Sequence, residues 1–84
     1  MKYTKQFPVT IYSPFQTYYE GPAVLLQAQN ATGPFDILAE HANFLCLLSS
    51  GTLRIQAPEK KYEFELDKGI LQVVNGTTYV FVNI

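Results

Sequence analysis

Four side chains within one short stretch are of the types that catalysis uses: Asp36, Glu40, His41 and Cys46. A cysteine with a nearby histidine has the makings of a nucleophile pair, in which the imidazole takes the thiol proton and a third group orients the ring. Cys46, however, lies inside Phe44-Leu45-Cys46-Leu47-Leu48. That is the ordinary setting of a small buried thiol, which is inert. Asp36, Glu40 and His41 could converge on a metal, but a chain with one His and one Cys has too few nitrogen or sulfur ligands for zinc. Asp36 and Glu40 lie four apart near an expected loop, with no second acidic cluster facing them for general acid–base work. The five glycines are dispersed one per turn, so no phosphate cradle forms. The expectation is no catalytic residue, no cofactor and no metal, with His41 in a capping or interface role.

Composition narrows the class further. At 84 residues the chain supports one domain, residues 1–84, with a radius of gyration of about 12 Å. A chain of this size buries only about 60–65% of its unfolded surface, so its core must be densely apolar. The 48% of hydrophobic residues supplies that core, and 15% charged is well below the usual quarter. Disorder is thereby excluded. A net charge of −1 argues against a nucleic-acid partner, which needs a basic face to displace counterions. The aromatic residues are not interleaved with Lys or Arg as a base-stacking surface would require.

No apolar stretch approaches the roughly 18 residues of a membrane helix. Met1-Lys2-Tyr3-Thr4-Lys5-Gln6 lacks the apolar segment of a secretory leader. Asn30-Ala31-Thr32 and Asn75-Gly76-Thr77 match the glycosylation acceptor pattern, but without a leader they read as turn chemistry. A lone cysteine makes no internal disulfide, so a reducing intracellular compartment is expected.

The elements that must hold these residues have a period of two. Phe7, Val9 and Ile11 alternate with Pro8, Thr10 and Tyr12; Leu53 and Ile55 with Thr52, Arg54 and Gln56; Tyr62, Phe64 and Leu66 with Glu63 and Glu65. Successive strand side chains point to opposite faces, so each run buries one face. No window sustains a helical stripe, the nearest being 35–48. Turn residues recur every eight to twelve positions: Ser13-Pro14, Glu20-Gly21-Pro22, Thr32-Gly33-Pro34, Ser49-Ser50-Gly51, Ala57-Pro58, Asp67-Lys68-Gly69 and Asn75-Gly76. This is the spacing of an all-β sandwich or barrel. Asn75-Gly76 suits a type I′ hairpin and Asp67-Lys68-Gly69 a three-residue hairpin. Pro8 puts the first strand at an edge or leaves its nitrogen facing outward.

The last hairpin carries more information. With Asn75-Gly76 as its turn, Leu71, Val73, Val80 and Val82 share one face, which reads as core. Ile70, Val74, Tyr79 and Phe81 surround Gln72 on the other. The outer face of an antiparallel sheet is normally polar. An apolar one is either buried on both sides or covered by a partner, and bare it invites self-association.

Gly33-Pro34-Phe35-Asp36-Ile37-Leu38-Ala39-Glu40-His41-Ala42-Asn43, then Leu48, then Gly51-Thr52-Leu53-Arg54-Ile55 resembles the signature of the epsilon subunit of F-type ATP synthases. Lys68 to Val74 followed by Thr77-Thr78-Tyr79-Val80 is similar to the closing hairpin of that subunit's N-terminal domain. The resemblance runs from about Phe7 to Val82. It implies a flattened antiparallel β-sandwich of about ten short strands, in the central rotor stalk between the gamma subunit and the membrane c-ring. The implied role is non-catalytic: it couples ion flow to ATP synthesis. The implied place is the cytoplasmic face of the bacterial inner membrane or its organellar equivalent, reached only through the complex.

By position, the resemblance assigns the c-ring contact to Asn30, Ala31, Thr32, Gly33, Pro34 and Phe35, and the gamma contact to Ser13, His41 and Cys46. Phe35 is equally well placed as an inward-pointing core residue. The sequence departs from the family at Asn43, where proline is usual, and at Gln72, where glutamate is usual. The 84 residues stop at Ile84, where the family continues into a helical hairpin that carries inhibitory and ATP-sensing behaviour, and neither behaviour is assigned to them. Two other readings stand beside this one. One is a stand-alone sandwich binding a peptide or sugar through Tyr18, Tyr19, Tyr79 and Phe81; the other is a small thiol enzyme around His41 and Cys46.

Overall fold

The computed structural model describes residues 5–82. The leader reading rests mainly on Met1–Thr4, outside the described residues. Nine strands are described: β1 (Phe7–Tyr12), β2 (Thr17–Ala23), β3 (Leu25–Asn30), β4 (Gly33–Ile37), β5 (Phe44–Leu48), β6 (Gly51–Gln56), β7 (Lys61–Leu66), β8 (Gly69–Val74) and β9 (Thr77–Val82). They form a five-stranded sheet in the order β2-β1-β9-β8-β5 and a four-stranded sheet in the order β4-β3-β6-β7. The radius of gyration is 11.7 Å and the extents are 32 × 26 × 21 Å, so the expected flattened β-sandwich is present. One pair departs from the expected antiparallel pattern: β1 lies parallel to β9.

The core lies between the sheets and is built from alternate positions. Val9 and Ile11 on β1 and Leu71, Val73, Val80 and Val82 on β8 and β9 face Leu26, Ile37, Leu53 and Ile55 from the other sheet. Each fully buried Leu or Ile stabilises the fold by about 1.5–3 kcal/mol relative to exposure. One hydroxyl is out of place here. Thr78 is fully buried and its Oγ1 has no hydrogen-bond partner.

Several turns form as the sequence predicts. Val74 opposes Thr77, Val73 opposes Thr78 and Leu71 opposes Val80. Asn75 and Gly76 take φ of 51° and 83°, the positive values a type I′ turn requires.

Others serve different ends. Asp67-Lys68-Gly69 is no hairpin, because β7 and β8 belong to different sheets and Leu66 and Gly69 bound a crossover. Gly69 is needed there for space: a Cβ would lie 2.9 Å from the Phe81 carbonyl oxygen. Glu20-Gly21-Pro22 falls within β2 rather than in a turn. Pro8 sits on an interior strand. It opposes Pro22 on β2, and the parallel pairing with β9 begins only at Val9, so its missing donor interrupts no part of that ladder.

Candidate interaction face

Because β8, β9 and β5 each send alternate residues inward, their remaining side chains point away from the core. The outer face of the five-stranded sheet therefore gathers Tyr12, Leu45, Leu47, Ile70, Val74, Tyr79 and Phe81. The pairing Tyr12↔Phe81, Ile70↔Phe81, Gln72↔Tyr79, Leu45↔Gln72 and Leu47↔Ile70 makes them neighbours. Leu45 and Leu47 are 64% and 71% exposed, and the Tyr12 and Phe81 rings stand 5.0 Å apart. On this face β5, β8 and β9 place no charged residue, and the carboxylate of the described strands is Glu20 on β2. The last hairpin is thus not buried on both sides: the second sheet covers one side and the other is open.

The opposite outer face follows the same alternation with different residues. Gln27, Asp36, Arg54, Glu63, Lys61 and Glu65 are exposed there. Arg54 Nε donates to Glu63 at 3.0 Å, Gln27 Nε2 donates to Asp36 at 3.3 Å, and Thr52 donates to Glu65. These pairs and the exposure of its charged groups make that face compatible with water.

The residues assigned to the ring contact form the β3–β4 hairpin. Asn30 opposes Gly33, and Asn30 Oδ1 accepts from the Thr32 amide at 2.9 Å and the Thr32 hydroxyl at 2.6 Å. This Asx turn fixes the tip, with Ala31 and Thr32 exposed at its end and Pro34 exposed beside it. Phe35 points inward and packs edge-on against Phe44 with centroids 6.2 Å apart, which is the core alternative for that side chain.

The residues assigned to gamma are not all together. His41 lies 4.9 Å from the Phe44 ring, with Nδ1 2.8 Å from the Ala42 carbonyl oxygen. Cys46 is half-buried, with the Asn30 side chain near enough to favour its thiolate. Burial outweighs that influence and raises the thiol above its ordinary range. Asn30, Phe35, His41 and Cys46 thus meet at one corner, so the hairpin and β5 form one surface. Ser13 lies elsewhere, just past the end of β1, three strand spacings or about 14 Å across the sheet from β5. By the register Tyr12↔Phe81↔Ile70↔Leu47 it is level with Leu48, at the end of β5 away from His41. Its hydroxyl accepts from the Phe15 amide at 3.2 Å, and its amide donates to the Gln16 carbonyl at 2.8 Å; it shapes the β1–β2 turn.

The chemical constellation does not assemble. Asp36 is on the polar outer face with Gln27. Glu40 pairs with Lys5, which lowers its carboxyl through that hydrogen bond first and through charge second. Among the described residues no group of three or more His, Cys, Asp and Glu is placed to hold a metal. The four aromatics of a stand-alone binder are likewise dispersed. Tyr19 turns inward against Tyr62 at 4.9 Å, Tyr18 lines a cleft of about 250 Å³ with Ile11, Phe64 and Leu66, and only Tyr79 and Phe81 share the open face.

Sequence reasoning missed Leu45 and Leu47, which it read as part of a buried run. The signal was present: in Phe44-Leu45-Cys46-Leu47-Leu48 a period of two forces odd and even positions to opposite faces. Phe15, 94% exposed in the β1–β2 turn, left no such signal.

Fold and surface together define a β-sandwich domain with one water-satisfied face and one open apolar face. Residues 6–84 match the family described as ATP synthase, Delta/Epsilon chain, beta-sandwich domain, and the chain belongs to that family. It is 31% identical over 75 residues to the ATP synthase epsilon chain of Synechococcus elongatus, covering 89% of this chain and 55% of that one. The epsilon chain of Thermosynechococcus vestitus is 28% identical over 89% of this chain and 54% of its own. The chain thus spans about half the length of the curated relatives it matches. The fold is also that of chains in two solved assemblies. One is the Euglena gracilis mitochondrial ATP synthase, OSCP/F1/c-ring, with a TM-score of 0.86 and 18% identity over 95% of this chain and 52% of that one. The other is the Tetrahymena thermophila mitochondrial ATP synthase central stalk and c-ring, with a TM-score of 0.80 and 18% identity over 98% and 66%.

Proposed function

We propose that residues 1–84 form a single, non-catalytic domain of the ATP synthase central stalk, which links the gamma subunit to the c-ring and so helps couple ion flow to ATP synthesis. The observation that carries this reading is the open apolar face of the five-stranded sheet in a chain of this family. Bare apolar patches of this kind are normally covered by a protein partner. Gamma covers that face and reaches its β5 edge near His41 and Cys46; a footprint that also includes Ser13 crosses the sheet diagonally. The hairpin tip Asn30–Pro34 meets the polar loops of the c-ring. Gly33-Pro34 and the Asx turn hold that tip in one conformation before contact, which lowers the ordering cost of docking. The domain reaches the membrane only through the complex, at the cytoplasmic face of a bacterial inner membrane or its organellar counterpart. Among the described residues no helix is long and apolar enough to cross a bilayer.

Size-exclusion co-elution with the gamma subunit from the same source, at low and high salt, tests the reading. A stoichiometric complex that persists at high salt is the expected result, because an apolar contact is little screened. A folded β-sheet chain that does not co-elute at micromolar concentrations would count against it. His41→Ala combined with Pro34→Glu tests the corner, and assembly as tight as wild type would overturn those residue assignments.

A further inference from the structure

Two open sheets have four edge strands, whose unpaired backbone groups are templates for another strand. Three of the edges are guarded. β7 carries Lys61, Glu63 and Glu65; β4 carries Pro34 and Asp36; β2 carries Glu20 and Pro22, and its register with β1 breaks between Ile11 and Tyr12. β5, the sequence Phe44-Leu45-Cys46-Leu47-Leu48, has no charge and no proline, and it pairs with β8 in unbroken register. Among the described residues no strand pairs with its other side.

We propose that β5 pairs antiparallel with β5 of a second copy of this chain, about a two-fold axis through Cys46. Symmetry selects this occupant. Around a two-fold axis every side chain meets its own kind or its mate across the centre. With the axis at Cys46, Leu45 meets Leu47 of the second copy on the outer face, and Phe44 meets Leu48 on the inner face. Apolar cross-strand pairs of this kind stabilise a ladder. An axis at Glu20 or Glu63 would set a carboxylate against its own copy, so the other charged edges disfavour the same arrangement. The contact merges two five-stranded sheets and makes their open apolar faces continuous. Asn43 anchors the start of the strand, since its Oδ1 accepts from the Asn75 amide at 2.9 Å, so β5 is held in place before pairing. Five residues a side make an interface below the usual 1,200–2,000 Å², so the dimer is weak and reversible.

Sedimentation of the 84-residue chain alone, across concentrations from about 10 µM to 1 mM that bracket such a weak contact, is the test, coupled with copper-phenanthroline oxidation. A reversible dimer that oxidation traps through a Cys46–Cys46 disulfide is expected. Leu47→Lys, at an already exposed position, should weaken it by about tenfold or more, because it places two charges near the axis. Tyr79→Lys, away from the edge, should leave it unchanged. A chain that stays monomeric throughout overturns the proposal. So does a dimer that Tyr79→Lys abolishes and oxidation does not link, since that is stacking of the open faces. The dimer and the proposed gamma contact share the β5 edge and exclude one another, so the test uses the chain alone and its outcome is read separately from gamma binding.

Discussion

The two outer faces of this sandwich obey one rule of alternation and come out as opposites. On the four-stranded sheet, the outward positions of β6 and β7 are Thr52, Arg54, Gln56, Lys61, Glu63 and Glu65, paired Arg54↔Glu63, Thr52↔Glu65 and Gln56↔Lys61 across the ladder. On the five-stranded sheet, the outward positions of β8 and β9 are Ile70, Gln72, Val74, Thr77, Tyr79 and Phe81. Both faces close the same core, so stability alone does not require the second pattern. Packing of Tyr12 on Phe81 returns part of the cost of that face. Leu45 and Leu47 remain largely in water, and under the function proposed above a partner covers them. Surface chemistry, rather than architecture, is where this domain's function is written.

The contrast can be broken at several levels. The largest effect belongs to the layer both faces share. Leu71→Ala, fully buried on β8, should cost about 2–5 kcal/mol, read as a lower midpoint in chemical denaturation. One residue along the strand the cost should vanish: Gln72→Ala should shift the midpoint by no more than about 0.5 kcal/mol.

The next effect separates the faces by binding. Tyr79→Lys should leave the unfolding midpoint within about 1 kcal/mol of wild type, yet weaken gamma binding by about a hundredfold, as loss of a central aromatic anchor does. Arg54→Glu on the polar face should leave that affinity within about twofold, because exposed charges away from the contact contribute little. Equal effects in titration calorimetry would show that the apolar face is not the docking surface.

Thr78→Val should stabilise the fold by about 1 kcal/mol, because it removes a buried hydroxyl that lacks a partner and preserves its shape. A loss of stability would mean that the hydroxyl has a partner in solution.

The smallest effects are in titration. Lys5 lowers the Glu40 carboxyl in the folded chain. The pair therefore contributes above the unfolded carboxylate range, and that contribution fades as pH falls through the lowered folded value. Glu40→Gln should flatten the acid limb of stability between about pH 5 and pH 3, and a limb unchanged in 0.5 M salt would contradict an exposed ion pair. Burial raises the Cys46 thiol, so alkylation of the folded monomer should be slower near neutrality than that of the unfolded chain.

Much of the fold was legible because the signals were local. Phe7 to Ile11, Leu53 to Ile55 and Tyr62 to Leu66 declare their buried faces by period, and Asn75-Gly76 declares its turn by the φ values it tolerates. The readings that failed were of another kind. Asp67-Lys68-Gly69 looks the same whether the chain turns back into one sheet or crosses to the other, because both need a tight reversal. Of the two places open to Pro8, the edge strand fails because β1 is interior. A nitrogen outside the β9 ladder fits, since that pairing begins at Val9; a missing donor alone does not choose between them. In the candidate face, Ile70, Val74, Tyr79 and Phe81 were visible through the register of one hairpin. Leu45 and Leu47 were not, because a run of five apolar residues does not say which side of it is covered.

By itself the sequence determined the class of structure, the alternation that builds the core, the closing hairpin and the residues that mark the family. These depend on backbone sterics and on side chains a few positions apart. Which strands became neighbours, which edge was left unguarded, and where Ser13 lies relative to His41 and Cys46 were decided only by the tertiary structure. Those are relations between segments distant in the chain. They are set by which pairing of two sheets buries the most apolar surface without stranding backbone donors, and no local pattern encodes that choice.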